Sequence, residues 1–392
     1  MEGQEAASTS NHFLIPEEKG QVCCDEWGDS QDDFLVKVLE DSESAGTQRK
    51  DECGEGISNT SFEKSTFGNE IKHKCALSGH QDSATSDSQL EPLQAFRHGY
   101  LWVSDFSSQA WCEQKLHYSY TAPALVQETP AMTQGSTLHL ARELAAHDKV
   151  DVNVTSNEDI WAIKVINLLM SAQGFLNGQA LAREVPVFGA PFGLDIFIVG
   201  LIDELRFDLD QYTVDLSDLK TRTSSHMPSR SQEAQHRLQV MLYKKLFDDL
   251  VQGKVAKDLI AKHLRLRLDS QFGEGIMTHL KSAGIECNTL SELLDFTYRR
   301  LQSCTCVNKL SIEYVFQDTG ETLGRKEILY DEDDLRQKFV ESIDYWMGRR
   351  PPKGVEIEEA WKCHRCEFVD ICEWHQRKTE ECVERNRKNA CV

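Results

Sequence analysis

At 392 residues the chain exceeds what one ordinary core organises, and 40% apolar residues are enough for a substantial one. The longest apolar run, L-D-I-F-I-V-G-L-I, is broken by Asp195 and is only strand-length, which argues against a membrane span. A net charge of −21 counts against a nucleic-acid partner only at first sight: residues 1–96 hold 20 Asp and Glu against 7 Lys and Arg, leaving −8 for the rest of the chain.

Ser, Gly, Asp and Glu dominate residues 1–96 and apolar residues are sparse, so this stretch is expected to be a largely disordered acidic leader. One exception is D-D-F-L-V-K-V-L-E, Asp32 to Glu40, a short helix suited to docking on a partner. No basic region followed by an apolar one opens the chain, and its first Arg is Arg49. Secretion and mitochondrial import are therefore disfavoured, and the expected location is nucleus and cytosol. In such reducing compartments the 13 cysteines, where they cluster, read as metal ligands rather than a disulfide framework.

Order is expected from about Tyr100. Ser104 and Asp105 suit the N-cap of one helix running through W-C-E-Q-K-L-H-Y, with Cys112 on its first turns. After a Pro-broken linker, G-S-T-L-H-L-A-R-E-L opens a second helix with His139 and Glu143 on one face, and a third covers Glu158 to Ser171. From Arg183 to Thr221 the period becomes strand-like: E-V-P-V-F-G, F-G-L-D-I-F-I-V-G-L-I-D-E-L-R-F-D and Y-T-V-D-L-S-D-L-K-T-R read as three strands. A long helix from Ser231 to Leu250 follows, then helical stretches over 253–305, a hairpin built from L-S-I-E-Y-V-F and E-I-L-Y, and an amphipathic helix from Asp331 to Trp346. The order predicts an α/β core, a small mixed sheet flanked by helices.

The predicted sheet carries a chemically informative set. Asp218 and Lys220, two apart, share a strand face. If the strand of Asp203 is their neighbour, two carboxylates meet beside an ammonium at one end of an apolar sheet, which is costly unless a cation fills the gap. Mg²⁺ is the natural occupant, with substrate phosphate and water completing its shell. It would polarise a phosphodiester and activate water, Lys220 would orient that water or stabilise the transition state, and Gln239 and Tyr243, one helical turn apart, would hold the strand being cut.

G-x-x-x-H (Gly135 to His139), an acid before a strand (Glu184), G-x-x-D (Gly200 to Asp203), D-x-K (Asp218 to Lys220) and Q-x-x-x-Y (Gln239 to Tyr243) follow one another in order. This series resembles the RecB-type branch of PD-(D/E)xK nucleases, with Asp218 where Glu is commoner. Near the C-terminus, Cys363-x2-Cys366-x5-Cys372 sits in G-V-E-I-E-E-A-W-K-C-H-R-C-E-F-V-D-I-C-E-W. In the iron-sulfur members of the branch such a trio joins one cysteine ahead of the nuclease core, and Cys112 holds that position. Within the branch the chain, from Gly99 to Trp374, is most similar to exonuclease V.

The resemblance implies a PD-(D/E)xK restriction-endonuclease-like core at 97–376 with a C-terminal iron-sulfur segment, between the leader and a charged tail at 377–392. It also implies a [4Fe-4S] cluster on Cys112, Cys363, Cys366 and Cys372, Mg²⁺ on Asp203, Asp218 and His139, and a monomeric single-strand DNA exonuclease acting in DNA repair, with repair proteins as further partners. Zinc is the rival for the thiolates, and Cys382 or Cys391 the rival fourth ligand. The segment K-T-R-T-S-S-H-M-P-S-R, with Arg222 and Arg230, suits phosphate contacts, and Phe106, Trp111 or Tyr118 could stack bases. The functional alternative is a catalytically inactive single-strand-binding or repair-scaffold module, against which the complete acid-and-lysine set argues.

Overall fold

The computed structural model describes residues 91–390 apart from 98, 127, 128, 146, 147 and 151, together with 11–13. The candidate docking helix Asp32 to Glu40 and Cys391 lie outside the described residues. Strand β1 (Asn11–Phe13) pairs in parallel with β3 (Asp148–Val150). Helix α1 (Pro92–Arg97) precedes the expected start of order at Tyr100. It buries Leu93 and sends Arg97 into a buried ion pair with Asp105, 2.7 Å away.

Where one helix was expected, two form. After the short strand β2 (Tyr100–Trp102) come α2 (Val103–Trp111) and α3 (Glu113–Thr121), divided at Cys112, whose backbone is extended (φ −165°, ψ 109°). Trp102, not Ser104, is the N-cap of α2; Asp105 sits in its first turn and accepts from the Trp102 N–H at 2.8 Å. The break places Cys112 at the head of α3 rather than inside a helix.

Helices α4 (Pro130–Leu144) and α5 (Asn157–Leu176) lead into the sheet. α5 is apolar nearly all round and buries Ile160, Ile163, Ile166 and Leu169 in the main core, as such a helix must. Strands β4 (Leu181–Gly189), β5 (Phe197–Asp208) and β6 (Thr213–Arg222) are antiparallel neighbours in the order β4-β5-β6. Helix α6 (Arg230–Val251) then crosses the sheet, started by a reciprocal cap between Ser229 and Gln232. Three helices, α7 (Lys257–Leu264), α8 (Glu274–Ser282) and α9 (Leu290–Leu301), fill the stretch expected to be helical. The hairpin β7 (Val307–Phe316) and β8 (Thr322–Ile328) adds to the sheet through a parallel β6–β7 ladder, and α10 (Glu332–Trp346) follows.

The result is a six-stranded mixed sheet flanked by helices. On one edge β5 pairs with β2 at residues 197–199 and with β6 only from Glu204 onward. Between those ladders β5 changes neighbours, and Gly200 to Asp203 lie in the gap. The C-terminal segment Ile357–Arg365 and helix α11 (Glu373–Ala390) form a lobe with its own small core of Val355, Cys372 and Trp374. Most of the stretch expected as a charged tail is thus helical.

Candidate nuclease site and cysteine centre

The β5–β6 ladder ends at Glu204 opposite Ser217, so Asp203 and Asp218 stand one step past its last rung, where the strands part. The Leu219 N–H donates to Asp203 Oδ2 at 2.6 Å, fixing this carboxylate against β6. On the other edge of β5 the ladder with β4 skips the pair Glu184 and Asp203. Glu184 takes a left-handed backbone (φ 50°), which costs a non-glycine residue about 1–3 kcal/mol and is held only where its surroundings over-determine it. From α4, His139 projects from a buried face shared with Gly135 and Glu143. One ligand atom each of His139, Glu184 and Asp203 lies within 4.8 Å of the others, and all three residues are buried.

Asp218 is 1% exposed, and neither of its oxygens accepts a well-formed hydrogen bond; the Lys220 ammonium is 3.2 Å away. Burial pushes the Asp218 carboxyl up to about 7, with Lys220 opposing the shift and Asp203 adding to it. A carboxylate this deep, offset only in part by Lys220, is a place for a further cation. On α6, Gln239 Nε2 donates to the Tyr243 hydroxyl at 3.1 Å, both buried. Gly200 is required here, since a Cβ would lie 2.7 Å from the Tyr243 ring and from Val103.

The second constellation is the cysteine centre. Cys112, Cys363, Cys366 and Cys372 line one small cavity, walled by Tyr118, Phe368 and Trp374, and all four are free thiols. Burial pushes the Cys112 thiol up to about 12, and each of the other three adds to the rise. Cys363 and Cys366 are raised by burial first as well. Four thiols mutually close, with no carboxylate lining the cavity, suit a soft metal that relieves this penalty. Cys382 is exposed on α11 and does not line the cavity, and neither Cys304 nor Cys306 does.

The sequence profile of a family described as "Exonuclease V - a 5' deoxyribonuclease" matches residues 88–215, 208–288 and 281–375. Exonuclease V of Danio rerio is 33% identical over 386 residues, 93% of this chain and 96% of that protein. The chain belongs to the exonuclease V family. A shorter match, 24% identical over 94 residues, covers 22% of this chain and 17% of "Exonuclease V, mitochondrial" of Vanderwaltozyma polyspora. A solved structure described as "Crystal structure of SSO0001" aligns over 70% of this chain and 86% of its own at 15% identity, with a TM-score of 0.33, too low to argue a shared fold.

In this exonuclease V chain a groove of about 780 Å³ takes in Cys112, Cys363 and Cys366 of the cysteine centre and, on its other side, Thr221 and Arg222, the residues that follow Lys220 on β6. One wall comes from the cysteine lobe, including Trp361, His364 and Arg365; the other from the end of β6 and the loop after it, including Arg222 and Ser224. No Asp or Glu lines it, although the chain as a whole carries −21. Arg222 lines this groove, whereas Arg230 sits exposed at the head of α6 and outside its lining. Of the candidate stacking residues, Phe106 is in the core against Phe339, Tyr118 walls the cysteine cavity, and Trp111 is 4% exposed. The half-exposed ring in the groove is Trp361, packed edge-on against Trp111, a residue sequence reasoning passed over despite its place two positions before Cys363.

Proposed function

We propose that this exonuclease V member is a Mg²⁺-dependent, RecB-type PD-(D/E)xK nuclease that hydrolyses single-stranded DNA from an end, 5′ by the family's description, in DNA repair, and that it carries a [4Fe-4S] cluster. The observation that carries the reading is the buried, underbonded Asp218 beside Asp203, on a strand whose later residues Thr221 and Arg222 enter a groove that no acid lines. His139, Glu184 and Asp203 would hold a divalent cation, with Asp218 completing the acidic set. When bound, such an ion polarises the phosphodiester and lowers the pKa of attacking water.

The chain's own groups supply the rest. Lys220, held beside Asp218, orients the water and offsets charge gathering on the phosphoryl oxygens. Gln239 and Tyr243, fixed to one another, position the strand from α6. Arg222, Lys115 and Arg365 take phosphates along the groove, and Trp361 offers a face to a base, a contact duplex stacking would deny. Cys112, Cys363, Cys366 and Cys372 would hold the cluster. It would tie positions 251 apart in the chain, a closure worth about 5 kcal/mol by loop entropy if it persists in the unfolded state.

The test is an anaerobic preparation assayed for iron and sulfide, then incubated with end-labelled single-stranded and duplex DNA, with and without Mg²⁺. Cleavage confined to single strands and to Mg²⁺ is expected. Tight single-strand binding with no cleavage under any metal would establish the inactive-module alternative.

A further inference from the structure

Two rows of side chains run from the groove to the carboxylates. On β6 they are Arg222, Lys220 and Asp218, two apart and so on one strand face. On α6 they are Gln232, His236, Gln239 and Tyr243, three or four apart and so on one helix face. Gln232 and Arg222 line the groove and face each other, Nη1 to Oε1, at 3.4 Å. Asp218, Gln239 and Tyr243 belong to the site. The middle of both rows, His236 and Lys220, is what a strand must pass to go from one to the other.

His236 is anchored for such a task. Its Nδ1 is 3.1 Å from the hydroxyl of Tyr314, a fully buried residue that pairs with Lys220 across the β6–β7 ladder. Its Nε2 has no hydrogen-bond partner among the described residues. We propose that His236 is a substrate-contacting residue, whose Nε2 meets a backbone phosphate of the DNA strand opposite Lys220 and takes up a proton as that phosphate docks. This rests on the nuclease reading above.

The charged surroundings set the sign. Burial holds His236 well below the usual histidine range, with Lys220 and Arg222 of β6 adding to it. On its own helix the nearest acid, Glu233, is engaged by Lys326 of β8, and from β7 the facing group is Tyr314. A phosphate arriving between Lys220, Arg222 and His236 offsets both cations, so protonation accompanies binding rather than preceding it.

The experiment is calorimetric titration of the full chain with a short oligodeoxythymidylate, metal replaced by EDTA to prevent turnover, at pH 6.5 and 8.5 in buffers of differing ionisation enthalpy. Wild type should take up close to one proton more than His236→Asn at pH 6.5, and bind severalfold tighter there. The salt dependence of its affinity should be steeper by about 0.7 in the log–log slope. All three differences should shrink at pH 8.5. Tyr314→Phe, which releases Nδ1 without touching the imidazole, should weaken binding less than His236→Asn, and it carries the test should His236→Asn fail to fold. Equal proton uptake and equal salt slopes in wild type and His236→Asn would overturn the proposal. Failure of wild type itself to bind the oligonucleotide would strike the nuclease reading, and the inference with it.

Discussion

Asp218→Asn should stabilise the metal-free protein at neutral and alkaline pH while abolishing cleavage. An aspartate is ordinarily ionised above 3.8, whereas in the folded chain Asp218 is pushed up to about 7 by burial and by Asp203, against the pull of Lys220. The folded state therefore binds a proton more readily than the unfolded one. Its contribution is fully favourable below the unfolded value and is lost as pH rises from about 4 through 7. At about 1.4 kcal/mol per pH unit, ionising Asp218 costs the apo fold on the order of 4 kcal/mol above pH 7. Asn mimics the protonated acid and escapes that cost, less about 1–2 kcal/mol for an amide whose hydrogen bonds are poorly met. Net stabilisation of about 2–3 kcal/mol should appear at pH 8 and reverse near pH 4, where the amide's cost of about 1–2 kcal/mol stands alone. The assay is chemical denaturation of both proteins in EDTA across that range, repeated with Mg²⁺. The ion should stabilise wild type more than the variant, which keeps His139, Glu184 and Asp203. A variant less stable than wild type at pH 8 in EDTA, or a wild type indifferent to Mg²⁺, would refute the placing of a cation at this carboxylate.

Cys112→Ser should lose the bound iron as completely as Cys366→Ser, by iron assay and visible absorbance, whereas Cys382→Ser, exposed and away from the cavity, should keep it. Gly354→Ala should disrupt the cysteine lobe, because its Cβ would lie 2.1 Å from the Trp374 ring; limited proteolysis should then cut near residue 354 while the main domain survives. Deleting residues 1–90 should leave Mg²⁺-dependent cutting within a few-fold and modestly tighten DNA binding at low salt, where the lost acidic charge is least screened. Deleting residues 1–97 should lower the melting temperature markedly, since it strands Asp105 without Arg97, a broken buried pair costing about 3–5 kcal/mol.

What could be read in the sequence was whatever depends on period and spacing. The strands holding Asp203 and Asp218 and the helix of Gln239 and Tyr243 follow from alternation and helical spacing, and their neighbourhood was conditional only on one antiparallel pairing that the structure contains. The convergence of Cys112 on the late cysteines was accessible through family resemblance but not from spacing, because a contact across 251 positions leaves no local trace. The helix break at Cys112 was hidden for a related reason: nothing in W-C-E-Q disfavours a helix, and the backbone turns extended where Glu113, just after it, is held by Arg350 and the Lys353 N–H from far along the chain. Glu184 illustrates the same limit at the site itself. The motif series reads it as an acid before a strand, whereas it lies inside β4 with a left-handed backbone, one of its ligand atoms within 4.8 Å of those of His139 and Asp203. His236 was within reach, since it lies on the helical stripe already drawn through Gln239 and Tyr243. Yet a histidine on a helix says nothing until Tyr314 and Lys220 are known to face it, and that depends on the parallel register of β6 and β7, which sets Lys220 opposite Tyr314. Chemistry carried within one element was legible, and chemistry made between elements waited for the pairing.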